Sequence, residues 1–187
     1  WCFNYLSLFY FMKNIFILLL LAFSTWSTAQ IINIPDANFK NRLLTCAICA
    51  VHADGTNGAD KNKDGEIQQS EAESIVKLLL PNSNIISLEG IEAFINVKDL
   101  NCQSNKIVSI NLSANTQLKT LSVNSNSLTS IDISNQIQLD SFLCDFNKII
   151  NLDISKNPVL RYLRCSNSDL STIRFNTFLK SLICNNT

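Results

Sequence analysis

Residues 60–71 read Asp-Lys-Asn-Lys-Asp-Gly-Glu-Ile-Gln-Gln-Ser-Glu. Six of these positions can offer oxygen to one point. They are the side chains of Asp60, Asn62 and Asp64, the main-chain carbonyl of Glu66, Gln68 acting through a water, and the carboxylate of Glu71. Gly65 stands where the chain must turn sharply between them. A hard cation that takes about six to eight oxygens is served by such a set, so the chemistry expected here is calcium binding. A plainer reading of the same residues is an Asx-rich turn ahead of a helix capped by Ser70.

Cys46, Cys49 and His52 form a second cluster, Cys-x-x-Cys-x-x-His. Covalent haem attachment requires the histidine directly after the second cysteine, which excludes it. A zinc site would lack its fourth ligand. What remains is a local disulfide, or two thiols one turn apart on a helix. His52 is the only histidine in the chain, so no catalytic triad can be built on another. No Gly-rich phosphate loop occurs. Asp99 and Asp145 would sit ~10 Å apart on an open strand surface, without the cleft that raises one carboxylate pKa in a glycosidase. The chain is therefore expected not to be an enzyme.

The twelve-residue spacing of the acidic segment is that of an EF-hand calcium loop, position by position. Gly55-Thr-Asn-Gly58 precedes it, where a paired EF-hand has its entering helix. That departure points to a static structural ion rather than a sensor. Further upstream, Asp36 can cap a helix with Phe39, Leu43, Leu44 and Ala47 as its apolar positions.

From Lys98 the chain falls into blocks of 21 residues, with a fourth block two residues shorter. Leu100, Leu121, Phe142, Leu163 and Leu182 coincide, as do Cys102, Val123, Cys144, Cys165 and Cys184. Ile107, Leu128, Ile149 and Leu170 form another apolar column. Leu112, Ile133, Ile154 and Phe175 form a further one. Each block reads Leu-x-Cys-x-x-Asn-x-Ile/Leu, the pattern of a leucine-rich repeat. An earlier turn contains Leu78, Leu80, Ile85, Leu88, Ile91, Phe94 and Val97. No such turn can bury its own apolar face, but stacked turns can. The expected fold is α/β, a solenoid of short parallel strands stacked turn on turn. Asn105, Asn126 and Asn147 share a column in which an inward amide can bond neighbouring backbone, and Ser168 and Thr187 depart from it. The cysteine column reads as core, because Val123 replaces a thiol there and free cysteine packs as a small hydrophobe. Cys144 and Cys165 are nevertheless near enough to be bridged.

The Ile-x-x-Leu-x-x-Ile-x-x-Phe rhythm from Ile85 resembles the internalin-type leucine-rich repeat of bacterial surface proteins, over residues 33–187. Ile-Pro-Asp-Ala-Asn-Phe-Lys (34–40) is similar to the leading segment of exported members of that group. The resemblance implies a helical N-terminal cap. The expected division is upstream residues and leader over 1–29, cap over 30–77, and repeats over 78–187.

Fifteen Lys and Arg balance fifteen Asp and Glu, which argues against nucleic acid as partner. Met12-Lys-Asn followed by apolar Ile15–Phe23 and small Ser27-Thr-Ala29 reads as a signal peptide, with a start at Met12 and cleavage after Ala29. The apolar run is shorter than the ~20 residues of a membrane span. The mature chain is thus expected secreted or on the cell surface, with no transmembrane span. Its last block stops early, so a longer natural product is expected. The expected function is recognition of a protein or glycan by the outward strand residues. These are Asp99, Asn101 and Gln103; Thr120, Ser122 and Asn124; Ser141, Leu143 and Asp145; and Tyr162, Arg164 and Ser166. Tyr162 and Arg164 are the expected anchors. The alternative is a repeat region that presents an enzyme or anchor lying beyond Thr187. In the turn from Arg161 to Leu179 the inward residues Leu163, Cys165, Leu170, Ile173 and Phe175 are expected to lose burial.

Overall fold

The structure is a computed structural model and describes residues 30–185. The expected leader and Thr187 lie outside the described residues. Helix α1 (Ala37–Thr45) comes first, followed by β1 (Ala50–His52) and the short helix α2 (Gln69–Ser74). Strands β2 (Ile75–Leu79), β3 (Asp99–Asn101), β4 (Thr120–Ser122) and β5 (Ser141–Leu143) come next. They are followed by β6 (Asn151–Asp153), β7 (Tyr162–Arg164), β8 (Thr172–Arg174) and β9 (Ser181–Ile183).

One sheet runs β1-β2-β3-β4-β5-β7-β9, and all its pairs are parallel except β1 with β2. The register joins Leu78, Leu100, Leu121, Phe142, Leu163 and Leu182, the column that the repeat pattern aligned. Strand side chains alternate, so this column faces inward and its flanks face out. The result is a solenoid of stacked parallel strands. A second, two-stranded sheet pairs β6 with β8 on the return path. The sequence pattern, which counts one strand per turn, did not anticipate it. Among the described residues no helix is long and apolar enough to cross a membrane.

The core is one continuous stack from Ile34 to Cys165. α1 buries Phe39 and Leu43 into it, with Phe39 against Phe94 at 6.3 Å between ring centres. Leu44 is half-buried, and the helix ends before Ala47. Gly90 lets the segment before α1 cross the first turn. Its φ is +99°, and a Cβ there would lie 2.7 Å from the Asn33 carbonyl oxygen.

Each front strand is left through a residue with left-handed backbone: Asn82, Ser104, Ser125, Phe146 and Asn167, all near φ +54°. Just beyond lies the asparagine column. Asn126 donates to the carbonyls of Cys102 and Val123, and its Oδ1 accepts from Ile107 N–H. Asn105 and Asn147 repeat this one turn to either side. Ser168 breaks the column, and its hydroxyl is buried without a partner among the described residues. A second amide column was missed. Asn115, Gln136, Asn157 and Asn176 donate to carbonyls of the preceding turn at 2.6–3.0 Å. Its signal is a recurrence at the eighteenth position of the first three blocks.

Leu163 and Cys165 remain buried, contrary to expectation, because β9 and Cys184 cover them. Leu170 and Ile173 are half-buried and Phe175 is exposed. The two missing residues of the fourth block fall on the return path after β8. Asn176 still reaches the carbonyls of Asn157 and Leu160 across that shorter turn.

Candidate functional site

Successive front strands place side chains of the same column about 4.8 Å apart. Along the outward columns the chemistry changes at each step, from Asp99 to Thr120, Ser141 and Tyr162, and from Asn101 to Ser122, Leu143 and Arg164. Gln103 and Asn124 follow β3 and β4 beyond the strand ends. The sequence reading took all twelve side chains as open to solvent. Ser122, Asp145 and Ser166 are instead buried. The Ser122 hydroxyl is buried without a partner among the described residues, whereas Asp145 and Ser166 are drawn in by bonding between turns. Asp145 Oδ1 accepts from Ser166 N–H at 2.7 Å, while Asn124 Oδ1 accepts from Asp145 N–H at 2.8 Å. Alternation tells which side a residue faces, not whether the next turn closes over it.

Asp145 also carries a charge pair. Arg164 Nη2 lies 3.0 Å from its carboxylate, whose side chain is only 3% exposed. That contact fixes the outer guanidinium from below. On the same strand Tyr162 is 46% exposed, with the Arg161 guanidinium 5.7 Å from its ring centre. Asp140 in turn binds Arg161 through two bonds, and this Arg161 guanidinium holds the Asp140 carboxyl below its ordinary range. Arg164 thus stands outward on a buried carboxylate, with Tyr162 beside it under the Arg161 guanidinium.

The acidic segment folds as one hydrogen-bonded network. Asp60 accepts from the backbone N–H groups of Asp64 and Gly65. Glu71, itself buried, accepts from Lys61, Asn62 and Gln68 N–H. Asn62 and Gln68 each donate a side-chain amide to Asp64, at 2.8 and 2.7 Å. The bond from Glu66 N–H holds the Asp64 carboxyl below its ordinary range. The Glu66 carboxylate turns away to Lys40 at 2.6 Å, so only its carbonyl is left to the loop. Gln68, not Ser70, caps α2, in a capping box with Glu71. The segment carries oxygens of acid, amide and carbonyl type, the kinds of donor that a hard cation takes. Among the described residues no three His, Cys, Asp or Glu side chains converge as a metal-holding group.

Cys46 and Cys49 form a disulfide just past α1. His52 is buried between Ser74 Oγ, 2.6 Å from its Nδ1, and the Gly58 carbonyl, 2.5 Å from its Nε2. It is a packing residue tying β1 to α2. The cysteine column needs correction. Cys165 and Cys184 are joined, whereas Cys102 and Cys144 are buried free thiols, so only part of the column is plain core. Burial pushes the Cys102 thiol up to about 12 and Cys144 up also. Cys165 and Cys184 lie one residue past the ends of β7 and β9, which pair in register.

No protein-family model matches the chain, and no curated protein matches it. Among solved structures it is similar to the functional domain of InlJ from Listeria monocytogenes, described as including a cysteine ladder. The identity is 32% and the TM-score 0.68, over 84% of this chain and 34% of that one. An internalin (inlF) from the same organism matches at 23% identity and TM-score 0.54, over 79% of this chain and 48% of that one. The chain thus spans about a third and about half of these neighbours' lengths. With the register and core described above, these likenesses identify a leucine-rich-repeat solenoid whose structural neighbours are Listeria internalins.

Proposed function

We propose that the chain is a non-catalytic binding module, exported to the cell surface or beyond, which recognises a protein or glycan through its front strand face. The observation that carries this reading is the pair Tyr162 and Arg164 on β7. One is half-exposed and aromatic, and the other is pinned by a buried carboxylate. Side chains held in place before binding lose little entropy on binding, and Tyr and Arg dominate many interfaces. The repeated inward columns set against varied outward ones support the same view.

In this reading α1, β1 and the acidic loop close the first turn as a cap. Asp36 supports that role. Its carboxylate caps α1 at Asn38 and Phe39 N–H, and also accepts from Ile86 and Ser87 N–H of the first turn. Calcium is the proposed structural ion of the loop, and Asp60, Asn62, Asp64, the Glu66 carbonyl, Gln68 and Glu71 would hold it. Such an ion supplies positive charge that fixes the loop against α2.

The test is labelled protein of residues 30–187 applied to a glycan array and to intact cells. Saturable binding is expected, weakened at least tenfold by Tyr162→Ala and by Arg164→Ala with unchanged melting. Equal binding by both variants would sink the strand-face reading.

A further inference from the structure

A groove of about 1100 Å³ runs beside the front face, along the residues that enter each strand. It shares Asp99 and Thr120 with the edge of the front face but is not lined by Tyr162 or Arg164, the anchors of the reading above. Its floor is apolar: Ile137, Pro158, Val159 and Phe178 come from the loops before β5, β7 and β9. Ile137 is 58% exposed, Val159 46% and Phe178 61%. Three such side chains side by side give the groove a mainly apolar lining.

The wall of the groove carries charge in a regular row. Lys119, Asp140, Arg161 and Lys180 line it as consecutive neighbours, with Lys98 next in the row outside the groove, and each N–H is bonded to the carbonyl of the one before. Asp140 is taken up by Arg161. Lys98, Lys119 and Lys180 therefore remain as cations with no ion pair among the described residues. The lining holds Lys119, Arg161 and Lys180 against Asp99 and Asp140, an excess of one cation in a chain with no net charge. A wholly polar polyanion would satisfy the row and leave the apolar floor wet. A purely apolar segment would satisfy the floor and desolvate the lysines.

We infer that the groove docks a peptide segment of a partner protein in which carboxylate side chains alternate with bulky apolar ones. The apolar groups lie on Ile137, Val159 and Phe178, and the carboxylates face Lys119 and Lys180. Four steps between strands separate Asp99 from Lys180 in the groove, roughly 19 Å. That length takes about six extended residues.

The experiment uses three fluorescein-labelled ten-residue peptides with protein of residues 30–187. One alternates Glu with Leu and Phe, one replaces every Glu by Lys, and one replaces every apolar residue by Ser. Anisotropy titration should show the first bound at least tenfold more tightly than the others. Phe178→Ala and Lys119→Glu, both at exposed positions, should each weaken it at least fivefold without changing the melt. Raised salt should weaken it as well. Equal binding of the acidic Ser peptide, or of heparin as a polar polyanion insensitive to Phe178→Ala, would overturn the peptide assignment. So would variants that bind the acidic apolar peptide like the parent protein. Arg164→Ala, whose side chain lies outside the groove and pairs with Asp145, should leave this binding unchanged, which separates the groove from the strand-face anchors.

Discussion

At the scale of single residues, Asp36 holds two segments at once. Partial burial pushes its pKa upward, but bonds from Ser87, Phe39, Ile86 and Asn38 N–H outweigh this and lower it. A carboxyl lowered in the folded state contributes stability above its unfolded value, and that stability is lost as pH falls through the folded value. Denaturant unfolding should thus show a loss below about pH 4 that Asp36→Ala removes. At pH 7 the variant should cost ~1–2 kcal/mol, the scale of a lost helix cap. A pH profile unchanged by the substitution would refute the assignment. The cysteines give a second test. Digestion of unreduced protein should yield Cys165 linked to Cys184, with Cys102 and Cys144 alkylated only after unfolding. A Cys144–Cys165 link would contradict the structure. Cys184→Ser should lower stability by ~2–4 kcal/mol, while Cys144→Val should be nearly neutral, because Val123 already fills that column.

At the scale of elements, the acidic loop and α2 make one prediction together. If calcium binds, a concentration of 100 times its dissociation constant stabilises the fold by ~2.7 kcal/mol. Melts with calcium and with chelator should then differ by roughly 5–10 °C. Identical melts would exclude the ion, and Asp64→Ala should abolish the difference. The turn at Gly65 and the helix after it were legible from local spacing, while the calcium assignment rests with these melts. The stacked strands were legible for a related reason, since Leu100, Leu121 and Phe142 recur at a fixed interval and need no partner to be named. What was not legible depends on contacts between turns. β1 pairs antiparallel with β2 over a separation that no periodicity marks. β6 and β8 carry residues that alternate too briefly to announce a strand. Asp145 looks like any outward polar residue until Ser166 N–H and Arg164 are seen to close over it. Whether Cys165 pairs with Cys144 or Cys184 is likewise a choice between two neighbours of equal register.

At the scale of the whole molecule, burial along the inward leucine column is uniform and then steps down. Leu100, Leu121, Phe142 and Leu163 are at most 1% exposed, while Leu182 is 44% exposed. Each turn is stabilised mainly by its two neighbours, so local opening should follow the same step. Hydrogen exchange on residues 30–187 should show slow amides in β3, β4, β5 and β7 and fast ones in β9. Protection of β9 equal to that of β4 would contradict this.

The left-handed joint after each front strand has a consequence for change over time. From Ser104 to Asn167 the joints recur every 21 residues, and the asparagines that follow the first three of them bond each to the turn before. The return path obeys no such rule, since the turn after β8 is two residues shorter and still closes through Asn176. The front thus works as a ruler with fixed gradations, and the back as slack that can be taken in or let out. Residues can be gained or lost behind without moving a single mark in front, so the spacing of the front strands does not depend on the length of the coil.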